Sequence, residues 1–230
     1  MKSSLDFRRR FRILSGLSGV IGVVLLIISF AINNGGPPPG ATYQELVKFV
    51  QQNYATVLWG AWLQAVGPVF IVVFAFALVY LAGAMQRLVG WMTFLGATIL
   101  TIVSLMEVTF YISALSLDPV SMPSISLKLI SAVQHLYFIV AAPALFLPLG
   151  VVLVSSRILP RLFGYLALVL ATVFAVVGAI FLLRLTLPSA VTALGGVQAL
   201  WWLAAAITLI VRGEENPSVH GVSGEESNAN

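Results

Sequence analysis

The chain has 230 residues, of which 60% are hydrophobic and only 9% are charged, and its mean hydropathy is +1.02. A soluble domain carries roughly 25% charged residues, so this composition excludes a water-exposed surface and predicts the lipid bilayer as the main partner. There is no cysteine, which excludes disulfides, thiolate metal sites and iron–sulfur clusters. The net charge of +4 does not indicate nucleic acid, because the basic residues lie at the ends of apolar runs.

Six apolar runs reach the roughly 20 residues that a helix needs to cross a hydrocarbon core of roughly 30 Å. They cover residues 13–32, 57–84, 89–115, 129–154, 163–185 and 191–211. Each run is too long for a buried strand and lacks the alternation of a barrel strand. The sequence therefore predicts an all-α fold, a polytopic bundle of six transmembrane helices that covers residues 13–211.

The basic residues predict the orientation of this bundle. The first run is longer than the apolar part of a cleaved signal peptide, which has about 7–15 residues, so we expect an uncleaved first span. With the N-terminus inside, nine Lys and Arg residues lie on the cytoplasmic side and three, Lys48, Lys128 and Arg184, lie on the other. The nine are Lys2, Arg8, Arg9, Arg10, Arg12, Arg87, Arg157, Arg161 and Arg212. We expect a plasma-membrane protein with a basic cytoplasmic N-terminus at residues 1–12 and a disordered cytoplasmic tail at residues 213–230.

The longest external connection, residues 33–56, has two parts. NNGGPPPG is rich in Gly and Pro, which oppose a helix. Thr42 and Glu45 then have the spacing of a capping box, which predicts a short external helix after the linker. This helix either rests on the outer leaflet or forms a lid over a cavity that opens outward.

Two further patterns concern helix packing. RLVGW at residues 87–91 recurs as RLFGY at residues 161–165, and each copy falls at a short cytoplasmic turn, so spans 2–3 and 4–5 resemble duplicated hairpins. Gly16, Gly19 and Gly22 form a small-residue face on the first span. Such a face lets helices approach closely, either within the chain or in a homo-oligomer.

Polar residues within the spans fall at similar depths. Gln64 lies seven residues from Val57, His135 seven from Lys128, Gln198 seven from Val191 and Glu107 eight from Leu115, which is roughly 10–12 Å into the bilayer. Arg184 lies near the outer end of span 5, where its long side chain could reach Glu107. Ser104 and Tyr111 share a helical face with Glu107. The sequence predicts a single polar layer in the outer half of the bundle.

This layer has two interpretations. Placing a charged side chain at the centre of a span raises the free energy of membrane insertion by about 2.5–3.5 kcal/mol. We therefore expect Glu107 either to be paired with another polar group or to have a function. In the first interpretation, Glu107 forms an ion pair with Arg184 or His135 that only stabilises helix packing. In the second, the layer is a pocket that binds a small ligand or a proton for transport or sensing, since histidine titrates near neutral pH.

Other chemistry finds no support in the sequence. One membrane histidine and one carboxylate are too few for a structural zinc site, and His220 lies in the acidic tail. The motifs Gly-x-Ser-x-Gly, HExxH and the P-loop do not occur. We therefore expect no metal, no cofactor and no enzymatic activity.

Several segments together resemble a known group of proteins. They are the RRRFR start, the Pro-Gly first external loop, SRILPRLFGYLALVL at the second cytoplasmic turn and QALWWLAAAITLIV in the last span. In these the chain is similar to small bacterial integral-membrane proteins that are classed under domains of unknown function. The resemblance covers most of residues 8–212 and implies a six-span fold, with no established activity or catalytic residues.

Overall fold

The computed structural model describes residues 2–33, 43–115, 129–130, 132–182 and 188–214, and all of the regular structure in them is helical. Six helices are long and apolar enough to cross a membrane, which confirms the predicted all-helical, six-span class. Residues 215–230 of the predicted tail, residues 34–40 of the Gly-Pro linker, Lys128 and Arg184 lie outside the described residues, whereas Gly213 and Glu214 are the last residues of α6. The helices are α1 (Lys2–Asn33), α2 (Tyr43–Leu81), α3 (Leu88–Leu115), α4 (Ala132–Ser155), α5 (Arg161–Leu182) and α6 (Pro188–Glu214).

The six helices pack in a ring. Each helix contacts the next along the chain, and α6 returns to pack against α1. The contact between α5 and α6 is the smallest in the ring. In the centre, Trp202 is 2% exposed, and its ring lies 5.9 Å from Phe74 of α2 and 5.3 Å from Phe146 of α4. Aromatic side chains thus join helices across the ring.

The chain turns and the arginines mark one end of the bundle. The ring of Phe11 in α1 lies 5.2 Å from that of Tyr80 near the end of α2. Arg212 near the end of α6 donates to the carbonyl of Ile158 in the α4–α5 turn at 3.4 Å. We call this the basic end, and the opposite end the far end. The basic end carries Arg9, Arg10, Arg12, Arg87, Arg157, Arg161 and Arg212.

At the basic end, α2 terminates in a Schellman motif. Gly83 has φ +64°, a left-handed conformation that glycine adopts without steric cost. The amide of Gly83 bonds to the carbonyl of Tyr80 at 3.0 Å, and that of Ala84 to Val79 at 3.1 Å. The chain therefore reverses within a few residues, and α3 packs directly against α2.

The two similar turns share a packing feature. A Cβ on Gly90 would meet the carbonyl of Ala84, and a Cβ on Gly164 would lie 2.6 Å from the backbone nitrogen of Val154. Gly90 lets the first turn of α3 pack closely on the α2–α3 turn, and Gly164 lets the first turn of α5 cross the end of α4 at close range. Both turns therefore need a residue without a Cβ at this position, which gives a physical reason for the glycine in the shared Arg-Leu-x-Gly-aromatic pattern.

The glycine face of α1 lies against the chain's own helices. A Cβ on Gly16 would lie 2.9 Å from the carbonyl of Ala206 in α6, and one on Gly22 would lie 2.9 Å from the carbonyl of Gly67 in α2. Ser29 of α1 also donates to the carbonyl of Gly60 at 2.8 Å. The small residues thus hold α1 between α2 and α6.

The predicted separate external helix is wrong. Its residues are the first part of α2, which runs without interruption for 39 residues, or about 58 Å. No Gly or Pro occurs between Tyr43 and Trp59, so nothing in the sequence breaks the helix before it enters the apolar run. The segment that begins at Tyr43 is therefore coaxial with the second span, which excludes a helix that lies flat or folds over as a separate lid.

Candidate functional site

Glu107 of α3 lies between two glutamine amides. The Nε2 of Gln64 on α2 donates to its Oε2 at 2.7 Å, and the Nε2 of Gln134 on α4 donates to its Oε1 at 3.0 Å. Each carboxylate oxygen therefore has its own donor from a different helix. We call Glu107, Gln64 and Gln134 the carboxylate cluster.

A serine adds a second link between α2 and α3. Ser104 lies one turn before Glu107 and donates its hydroxyl to the backbone carbonyl of Gln64 at 3.2 Å. Ser104 and Glu107 therefore share a face, as the spacing predicts, and both hold the same residue of α2. Tyr111 lies one turn farther along α3 at the helical spacing of that face and is partly buried.

Gln198 belongs to a second group. The hydroxyl of Tyr137 on α4 donates to the Oε1 of Gln198 on α6 at 2.6 Å. The predicted single layer is therefore divided between two hydrogen-bonded groups. The groups are connected through α4, because Gln134 and Tyr137 lie about one helical turn apart.

His135 is turned toward another helix. Its ring lies 5.4 Å from the ring of Phe181 on α5, edge to face. Neighbouring residues on a helix point about 100° apart, so when Gln134 faces Glu107, His135 faces α5. Both oxygens of Glu107 accept from glutamine amides, and Arg184, one of the two partners expected for an ion pair, lies outside the described residues.

Sequence reasoning missed Gln134 and Tyr137. Gln134 lies beside His135 at nearly the same depth, where the titratable histidine is the more conspicuous residue. Its signal is its residue type, since a primary amide in an apolar span needs hydrogen-bond partners. Tyr137 carries a weaker signal, because a tyrosine ring is also ordinary apolar packing material.

A π-helical turn lies next to both residues. α4 includes a π-turn at Tyr137–Ala141, in which the amide of Ala142 bonds to the carbonyl of Tyr137. Pro143 follows directly. Proline has no N–H for the carbonyl four residues earlier and clashes with it, and a wider turn relieves that clash. The π-turn rotates the part of α4 that carries Gln134 relative to the part that follows Pro143. The direction of the Gln134 side chain therefore cannot be predicted by continuing the regular helix backward from Pro143.

The carboxylate cluster reaches from the interior to the surface of the bundle. Gln64 is 5% exposed, Glu107 is partly buried and Gln134 is exposed. The half of α6 nearest the far end is mostly exposed between Thr192 and Leu200. A Cβ on Gly195 or Gly196 would meet no atom within 4 Å, so packing around this part of α6 is open.

Within the described part of the chain, the groups that hydrogen-bond at the cluster are a carboxylate, two amides and the hydroxyl of Ser104. Among the residues that the structure describes, no three His, Cys, Asp or Glu side chains come together in a way that could hold a metal ion. The carboxylate is the group that can exchange a proton or attract a cation. The two amides hold it between the buried Gln64 and the exposed Gln134.

Comparison of the chain with protein-family models, with curated proteins and with solved structures gives no match. The resemblance to small bacterial membrane proteins therefore stays a prediction from the sequence.

Proposed function

We propose that this is a multi-pass protein of the plasma membrane whose carboxylate cluster is a pocket that opens outward and binds a proton, or a small ligand, for transport or sensing. The protein acts without enzymatic chemistry. The ligand that the cluster favours most is the proton, taken up by Glu107.

The orientation follows from the arginines. Lys and Arg accumulate on the cytoplasmic side of membrane proteins, and eight described arginines, the seven named above and Arg8, lie at or near the basic end. The N- and C-termini are then cytoplasmic and the far end faces outward. Glu107, eight residues before Leu115, then lies in the outer half of the membrane.

The observation that carries the proposal is the neutrality of Glu107's two donors. An arginine or lysine partner favours the charged carboxylate. A glutamine amide has both a donor and an acceptor, so a rotation of its side chain lets it donate to a carboxylate or accept from a carboxylic acid. The cluster therefore accommodates both protonation states of Glu107, as a site of reversible proton binding requires.

A structural role is the second candidate. It is favoured by the double link from α3 to Gln64, through Glu107 and through Ser104. In this case the cluster only fixes the packing of α2, α3 and α4. Neither helix packing nor hydrogen bonding then depends on a change in protonation.

Glu107→Gln separates the two candidates. Infrared difference spectra between acidic and alkaline buffer report the C=O stretch of a protonated carboxylic acid in the full-length protein in lipid. We expect a band that is absent from Glu107→Gln, while the free energy of unfolding falls by no more than about 1 kcal/mol, because the new amide still forms hydrogen bonds.

The control is Glu45→Gln, which removes the same charge from an exposed position in the first turn of α2. We expect this variant to keep the band. If wild type and Glu107→Gln have the same spectra, and Glu107→Gln is several kcal/mol less stable, the cluster is structural and the proposal is wrong.

A further inference from the structure

The part of α4 from Gln134 to Tyr137, the first residue of the π-turn, carries both polar contacts of the site. Gln134 bonds to Glu107 on α3, and Tyr137 bonds to Gln198 on α6. We call residues 132–136 the outer arm of α4. A movement of the outer arm would change the contact with Glu107, and Tyr137 lies where the arm joins the π-turn.

The π-turn gives the outer arm a place to pivot. The carbonyl of Tyr137 accepts from Ala142 across the wider turn, and Pro143 provides no amide for the carbonyl of Ile139. The backbone here is held by fewer regular bonds than in an α-helix. On the α5 side, a Cβ on Gly178 would lie 2.9 Å from the backbone nitrogen of Ile139, so this glycine provides the clearance in which the turn lies.

The partner of Tyr137 is firmly placed. Trp201 and Trp202 follow Gln198 on α6 and are 5% and 2% exposed. The indole nitrogen of Trp201 donates to the carbonyl of Phe163 on α5 at 3.0 Å. Gln198 lies directly before this anchored part of α6, at the end of the loosely packed outer half, so the Tyr137–Gln198 bond ties the base of the arm to α6 beside its anchor.

We infer that Tyr137 and Gln198 form a latch that positions Gln134 against Glu107, and that the outer arm pivots at the π-turn when the latch opens. The pivot is inferred from the π-turn and from the two hydrogen bonds of Gln134 and Tyr137 alone. Its role in regulating proton binding rests on the proposed function. Tyr137 and Gln198 are thus positioning residues, acting on Glu107 through Gln134.

Pairs of spin labels test the pivot in the full-length chain. The protein has no cysteine, so each introduced cysteine is labelled alone. Leu136 on the outer arm and Val151 beyond the π-turn are 43% and 40% exposed, and each is paired with Ile28 of α1, which is 42% exposed. The distance between the labels is measured in lipid by pulsed electron paramagnetic resonance.

We expect Tyr137→Phe to raise the population of a second Leu136–Ile28 distance by about 2- to 10-fold, as loss of one neutral hydrogen bond shifts an equilibrium. Gln198→Leu should give the same change, and the matched Val151–Ile28 distance should stay constant. If both pairs change, the bundle has loosened as a whole. If neither pair changes in either variant, there is no latch. Either result overturns the inference.

The infrared band of Glu107 separates positioning from mere packing. In Tyr137→Phe the band should shift in frequency, because the bond from Gln134 changes; an unshifted band would mean that the latch does not position Gln134. A moving arm with no Glu107 band in wild type would contradict the proposed function but leave the pivot intact. A normal band with an immobile arm would contradict the latch alone.

Discussion

Gly96→Ala is expected to destabilise the protein by about 1–3 kcal/mol or more, the cost of forcing an extra methyl group into a packed interior. Gly96 lies on α3, where a Cβ would meet the carbonyl of Ala144 and would lie 2.7 Å from the Cα of Leu145. These are backbone atoms of α4, which cannot turn aside as the end of a side chain can. The two helices would have to separate, and the loss would extend to the carboxylate cluster that they share.

The matched control is the same substitution on α6. Gly195 lies in a helix with no atom within 4 Å of the added Cβ, and exchange of Gly for Ala in an exposed helix contributes up to about 1 kcal/mol of stability. Thermal unfolding in one detergent should therefore give opposite signs for the two variants. Equal effects would show that helix propensity, and not the contact of α3 with α4, determines the result.

Gln64→Leu is expected to lower the free energy of unfolding by about 1–3 kcal/mol, because it removes the buried amide donor and leaves Oε2 of Glu107 without this hydrogen bond. Gln64 is 5% exposed and holds Oε2 of Glu107 at 2.7 Å. Gln134→Leu removes the equivalent donor from Oε1 at an exposed position, where the new leucine side chain is better matched to the surrounding lipid than the amide was. We expect that variant to lose clearly less stability.

The double variant Gln64→Leu/Glu107→Leu tests the reason for this loss. Replacing both partners of a buried hydrogen bond by apolar groups can be nearly neutral, so the double variant should recover much of the stability that Gln64→Leu loses. Equilibrium unfolding of the two single variants and the double variant gives the coupling energy. Additive losses would mean that Gln64 stabilises α2 independently of Glu107.

The number and positions of the spans could be predicted from the sequence because length and hydropathy decide them directly. The depth of the polar residues could be predicted as well, since a helix rises by about 1.5 Å per residue. Depth placed Gln64 and Glu107 at one level, and the structure brings them into contact.

The rotation of each helix could not be predicted. Spans that are apolar on all sides do not show which face points inward, and in α4 the π-turn adds a change of phase that no regular period contains. This is why His135 was expected at Glu107 and Gln134 was found there. The length of α2 was missed for another reason: the change in polarity near Thr56 marks where the membrane begins, and a helix need not end at that point.

The continuity of α2 has a mechanical consequence. The helix passes from the segment beyond the apolar run to Gln64 without a Gly-Pro break, because Gly67 and Pro68 come only after Gln64. From Tyr54 to Gln64 is about 15 Å of unbroken helix, so a twist or a push applied outside the bilayer is transmitted to the amide that holds Glu107. A molecule that binds at the exposed segment and moves the helix would therefore displace Gln64 and change its hydrogen bond to Glu107.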